Sequence, residues 1–229
     1  MKLTLLLITL TLTSLAQADL GSFDKQGRFI YPDTNKPYTG NLEVANNDWG
    51  NDSVVSTDTT VGLATGEYVK FSKDYVDGVL HGVEKAFYRT GKLKSVGYFN
   101  KGLIDGTTTL YYEDGSVQAQ VSFNNGAREG KAVSFYPDGA KQLEHFFIND
   151  KLNGVASQWY DTGSLMITRD YSKGLLHGEV ITYYESGKVF EVTKFNYGTP
   201  KSKFIYHEDG SLADEQGFLS KQVIDNIIS

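Results

Sequence analysis

Gly91, Gly115, Gly139, Gly163, Gly187 and Gly210 follow one another at intervals of 24, 24, 24, 24 and 23 residues. A period of that length means stacked supersecondary units, because each unit alone is too small to bury its own apolar face. A second ladder, Gly82, Gly106, Gly130, Gly154 and Gly178, keeps the same spacing. So does a column of rings at Tyr75, Phe99, Phe123, Phe147, Tyr171, Phe195 and, after one deletion, Phe218. A fold that ignored this period is excluded.

The chemistry of one unit names the element that repeats. Thr107 to Tyr112 is a β-branched and aromatic run, Glu113-Asp114-Gly115-Ser116 is a turn, Val117 to Phe123 alternates apolar and polar, and Asn124-Asn125-Gly126 turns again. That pattern predicts strand, turn, strand, turn, with glycine where a positive φ is needed. A lone hairpin is marginal in water and must be stacked. The predicted class is therefore all-β, an elongated array of stacked antiparallel hairpins, advancing about 10 Å per unit at ~4.8 Å per strand.

Aromatic rows are expected to hold the stack. Phe87-Tyr88, Tyr111-Tyr112, Phe135-Tyr136, Trp159-Tyr160 and Tyr183-Tyr184 precede the first glycine ladder, with Tyr206 in the last unit. Like residues of neighbouring units are expected to stack ring on ring. Adjacent strand residues point to opposite faces, so both rings of a pair cannot enter one core. The row Tyr112, Tyr136, Tyr160 and Tyr184 is then either a solvated face covered by tyrosine bodies or a strip that binds a partner.

Segments such as YYEDGSVQAQVSFNNGAREG (Tyr111 to Gly130), WYDTGSLMITRDYSKGLLHG (Trp159 to Gly178) and YYESGKVFEVTKFNYG (Tyr183 to Gly198) resemble the variant MORN repeat, as in the bacterial YwqK-type antitoxin family. The resemblance covers residues 67–212, and Lys36-Pro37-Tyr38-Thr39-Gly40 resembles the segment that opens such arrays. Two departures stand out: Asp150 where other units have glycine, and Pro200 after the last such turn. The resemblance implies a binding scaffold and no particular activity.

Residues 1–18 carry one lysine, an apolar stretch from Leu3 to Leu15 and an Ala16-Gln17-Ala18 site, the pattern of a cleaved signal peptide. The apolar run is too short to span a bilayer, which needs about 20 residues. There is no cysteine, hence no disulfide framework and no lipid-modified cysteine to tether a mature N-terminus. An exported, periplasmic protein is expected, with a secreted one as the alternative. The intact chain has a formal net charge of −6, which argues against nucleic acid and does not favour anionic membrane. It suits a protein partner with a basic surface, and it equally serves solubility alone.

The period breaks at two places. Residues 41–66 are an insertion, polar and rich in Asn, Asp and Gly, expected as a loop or long distorted hairpin within an irregular N-terminal cap over 19–66. Its Asp48, Trp49 and Asp52 join the four tyrosines as candidate partner-binding residues. At the other end, 213–229 is expected to cap the array, with Ser220 to Ile228 as a short helix.

No nucleophile elbow, metalloprotease motif, phosphate loop or paired-carboxylate spacing occurs, so no catalytic residue, metal or cofactor is expected. His81, Asp105, Glu129, Asn153 and His177 share one repeat column, read as polar turn residues and not as metal ligands; His145 and His207 read as structural. Taken with the resemblance, these features imply an immunity or antitoxin protein that occludes a cognate toxin or effector. The alternative is an envelope-associated or lipid-contacting scaffold.

Overall fold

In the computed structural model the described residues are 22–30, 36–46, 52–56 and 68–217. Strands β1 (Ser22–Phe23) and β2 (Phe29–Ile30) pair as a separate small hairpin. Strands β3 (Gly40–Asn46), β4 (Asp52–Ser56), β5 (Tyr68–Val76), β6 (Val79–Phe87), β7 (Leu93–Asn100), β8 (Leu103–Tyr111), β9 (Val117–Asn124) and β10 (Ala127–Phe135) begin the main sheet. It continues through β11 (Lys141–Ile148), β12 (Lys151–Leu152), β13 (Gly154–Trp159), β14 (Leu165–Ser172), β15 (Leu175–Tyr183), β16 (Val189–Asn196), β17 (Thr199–Tyr206) and β18 (Leu212–Gly217). Among the described residues there is no helix, and these 16 strands form one open antiparallel sheet in which chain neighbours are sheet neighbours from β5 onward, save that β12 and β13 both pair with β11. The fold is all-β, an array of hairpins.

Two kinds of turn alternate. One is a two-residue turn with both φ angles positive, as at Lys101 (49°) and Gly102 (83°), the geometry that matches strand twist. Asn149 and Asp150 adopt the same angles, 47° and 63°, so the missing glycine leaves the turn type unchanged. The other is a wider turn. The Gly115 N–H donates to the Tyr112 carbonyl at 2.9 Å and the Tyr112 N–H to the Ser116 carbonyl at 2.8 Å. The pairing slips at the end of each such hairpin, between Leu110 and Tyr111 in this one. Asp114 fastens it by accepting from the Ser116 N–H at 2.8 Å and hydroxyl at 2.6 Å, contacts that hold its carboxyl below the usual range.

Cross-strand partners sort the side chains into two faces. One carries the aromatic column, with an aliphatic residue opposite four of its rings: Tyr75 with Leu80, Phe99 with Ile104, Phe147 with Leu152, Tyr171 with Leu176. Phe99 is 5% exposed and Phe147 8%. At the N-terminal end Phe29, Leu42, Val44 and Tyr75 form a cluster, with Tyr38, Phe71 and Leu80 packed on it. There the Phe29, Tyr38 and Tyr75 rings meet at 5.3–6.1 Å.

One sequence expectation resolves differently. The rings of one column do not stack on one another from unit to unit. Equivalent residues lie two strands apart, about 10 Å, beyond the 4.5–7 Å of ring contact. Residues 41–46 of the expected insertion belong to β3, which pairs with β5 in the register β6 keeps with β7. The departure from the period follows Asn46, where β4 pairs on the outer side of β3. Residues 213–217 of the expected C-terminal cap belong to the exposed last strand, β18. The signal segment 1–18, the helix at 220–228, Phe218, Asp48 and Trp49 lie outside the described residues.

Candidate binding surface

The tyrosines singled out in the sequence lie along the margin of the wider turns, and their hydroxyls reach into the next unit. Tyr88 donates to the Tyr111 carbonyl at 2.7 Å, Tyr112 to Phe135 at 2.7 Å and Tyr136 to Trp159 at 2.9 Å. Tyr160 follows with Tyr183 at 3.4 Å, and Tyr184 with Tyr206 at 2.9 Å. The phenol crosses the gap that ring stacking cannot. All five are half-buried. Burial, then Asp114 and Asp138, holds the Tyr112 phenol above its ordinary pKa; burial, then Asp161, does so for Tyr136. Tyr112→Phe is expected to cost about 1 kcal/mol, one net hydrogen bond, measured by denaturant unfolding.

A second set of latches runs along the opposite margin. Each two-residue turn donates its second N–H to the unit before: Gly102 to the Leu80 carbonyl at 2.7 Å, Gly126 to Ile104 at 2.8 Å, Gly174 to Leu152 at 2.8 Å. The polar column holds the first N–H of the same turns. His81 Nδ1 accepts from Lys101 at 3.3 Å, Glu129 from Asn149 at 2.8 Å and Asn153 from Lys173 at 3.3 Å. His177 instead stacks on Tyr197, at 4.2 Å between centroids. Among the described residues no group of three or more His, Cys, Asp or Glu side chains could hold a metal ion.

Asp150 has a partner that compensates it. Arg128 occupies the position filled by Leu80, Ile104, Leu152 and Leu176 in other units, and its guanidinium lies 4.4 Å from the Phe147 centroid. Its Nε donates to Asp150 Oδ1 at 2.9 Å and its N–H to the same oxygen at 3.0 Å. That pairing holds the Asp150 carboxyl below the usual range. The pair is part-exposed, so a double-mutant cycle of Arg128→Leu and Asp150→Gly is expected to give a coupling energy of only about 1 kcal/mol.

With the tyrosines engaged in latches, exposed apolar side chains gather elsewhere. Tyr98, Leu103, Phe146, Ile148, Val155 and Leu175 are 40–50% exposed. Strand alternation places them on the face opposite the aromatic column. Leu103, Ile148 and Leu175 flank the two-residue turns, so the strip follows that margin. Sequence reasoning missed it because Tyr98 and Phe146 share a column with Asp74, Ser122, Asp170 and Lys194, which shows no apolar period. The structure keeps the tyrosine row together on one margin and puts Asp52 at the start of β4, the edge strand, with its Cα opposite Asn46.

Residues 80–101, 104–125 and 176–197 match the MORN repeat variant family. The hairpins between the second and third matched segments keep the same latches, at Tyr136, Tyr160, Asp150 and Gly174. No curated protein matches the chain. Three segments of the chain thus match MORN repeat variants, set in a hairpin array such as a repeat-based binding module uses.

Proposed function

We propose that this chain is an exported, non-enzymatic protein-binding module, an immunity or antitoxin protein that neutralises a toxic effector by covering its working surface. The observation that carries the reading is the apolar strip from Tyr98 to Leu175, left exposed on a sheet whose units are stitched along both margins. A stitched scaffold loses little conformational entropy on docking, which is what occlusion by a flat face requires. An interface of about 1,600 Å² would suffice for a stable complex. The signal-like segment 1–18 favours a periplasmic site of action, and the excess of acidic residues favours a partner with a basic surface.

The test is co-expression of the tagged full chain with the genes beside its own, followed by capture. A single stoichiometric partner whose toxicity falls when this chain is added supports the proposal. Recovery of envelope components alone supports the second reading, a lipid-contacting scaffold. That reading has one observation in its favour: Lys101, Lys151 and Lys173 alternate with Leu103, Ile148 and Leu175 along the same margin.

A further inference from the structure

Three of the four arginines of this chain have a partner, and the fourth finds none among the described residues. Arg28 pairs with Asp24 at 2.7 Å and Arg128 with Asp150 at 2.9 Å, and Arg89 is also engaged. Arg169 is half-buried on β14, yet among the described residues it forms no hydrogen bond or ion pair, in a chain with 28 carboxylate side chains. It lies on the face of the aromatic column, opposite Ala156 on β13 and Val180 on β15. Two residues along the same strand, on the same face, stands Tyr171.

The row continues to a second polar group that has no hydrogen-bond partner among the described residues. Ala156 lies level with His145 on β11, one step beyond the Glu144–Ser157 pair, and His145 is opposite Ala132 on β10. Arg169 and His145 therefore flank Ala156 two strands apart, about 10 Å between backbones. Ala156 is 2% exposed although it offers only a methyl group, so longer side chains close over it. The imidazole rests edge-on against Phe147 at 6.3 Å. Burial, then the charge of Arg169, depresses the His145 pKa.

We infer that Arg169 and His145 form a notch that binds a carboxylate on an apolar stem, the acidic side chain or chain terminus of a protein partner. A planar guanidinium fork matches a carboxylate through two parallel N–H···O bonds, and the imidazole supplies a further N–H donor. Ala132 and Val180, both half-buried beside the two groups, give the stem its apolar contact. The notch is short-range recognition, made against the net acidic charge of the chain, and so selects a ligand that strips its water on entry. This inference rests on the protein-binding reading above, but its test does not.

The probe is sodium propionate added to the full chain, with sodium chloride at equal ionic strength as control and inorganic phosphate as comparator. The readout is the ring signals of His145 by NMR. The charged groups around that ring are Arg169 across β13 and Arg128 above Phe147 with its partner Asp150; Glu144 and Lys131 lie on the other face. Propionate is expected to shift the His145 signals saturably and to move their titration midpoint to higher pH, because the anion offsets the Arg169 charge. Arg169→Gln is expected to abolish the propionate response and raise the midpoint without any anion, while Arg128→Gln keeps the response. Should Arg169→Gln fail to fold by circular dichroism, Arg169→Lys carries the test, with a response several-fold weaker because the fork is lost. Equal effects of chloride and propionate, or a response that survives loss of Arg169, would overturn the notch. A response to phosphate but not propionate would overturn the carboxylate assignment.

Discussion

Gly78→Ala is expected to destabilise the fold by about 3 kcal/mol, whereas Gly187→Ala at a backbone of nearly the same shape should cost about 1 kcal/mol. The two φ angles are 74° and 82°, so the intrinsic penalty for a side chain in left-handed backbone is the same, roughly 1 kcal/mol. Their surroundings differ. A Cβ on Gly187 meets nothing within 4 Å; one on Gly78 would sit 2.5 Å from the Phe29 carbonyl oxygen and 2.8 Å from Arg28 Cβ. Backbone cannot swing aside as a flexible side chain can. The Gly78 N–H also donates to the Tyr38 carbonyl at 2.6 Å, and its carbonyl accepts from Phe29 at 2.7 Å. Adding the methyl group thus pushes the β1–β2 hairpin, with its Phe29, off Leu42, Val44 and Tyr75. Urea unfolding of both variants, with amide exchange at Val44 as a local probe, makes the comparison. Equal losses would mean that docking of residues 22–30 adds nothing to the array.

Above pH 10 the chain should lose stability by up to about 3 kcal/mol through Tyr75 alone, at ~1.4 kcal/mol per pH unit. Burial first, then the charges of Glu84 and Tyr38, pushes this phenol up to about 12. The unfolded chain releases the proton near pH 10 and the folded chain keeps it, so the unfolded state binds fewer protons in this window and stability falls as pH rises. Below pH 10 both states are protonated and the group contributes no slope. Tyr112 and Tyr136 are raised in the same sense and steepen the loss. Denaturant midpoints between pH 9 and 12 should fall more steeply for the native chain than for Tyr75→Phe. Parallel curves would sink the assignment.

The spacing of glycines and rings disclosed the hairpin array and the two turn positions of each unit, because both are local. A two-residue turn with positive φ at both positions favours Gly, Asn or Asp, and its second position is Gly or Asp in every such turn among the described residues, Tyr197-Gly198 included. The aromatic column was equally legible, since strand alternation alone decides which residues share a face with Phe99 and Phe147. The tyrosine row was recognised without its role. Tyr112, Tyr136, Tyr160 and Tyr184 are regular in sequence, but whether a ring meets a ring or a phenol meets a carbonyl depends on the distance between units.

That distance is two strands, and it separates what the sequence determined by itself from what the tertiary structure decided. Local backbone preference and side-chain alternation act within one hairpin, so period, turn type and core column could be read residue by residue. Latches, partners and exposure act between hairpins. The carbonyl that receives the Tyr112 hydroxyl belongs to Phe135, 23 residues on, and Asp150 meets Arg128 from 22 residues away. The strip from Tyr98 to Leu175 is likewise invisible along the chain, because its members come from columns that other units fill with polar residues. Arg169 and His145 become a pair only when two intervening turns bring β11 and β14 to either side of β13. Such groupings carry no period, since each needs only one favourable juxtaposition in the assembled sheet.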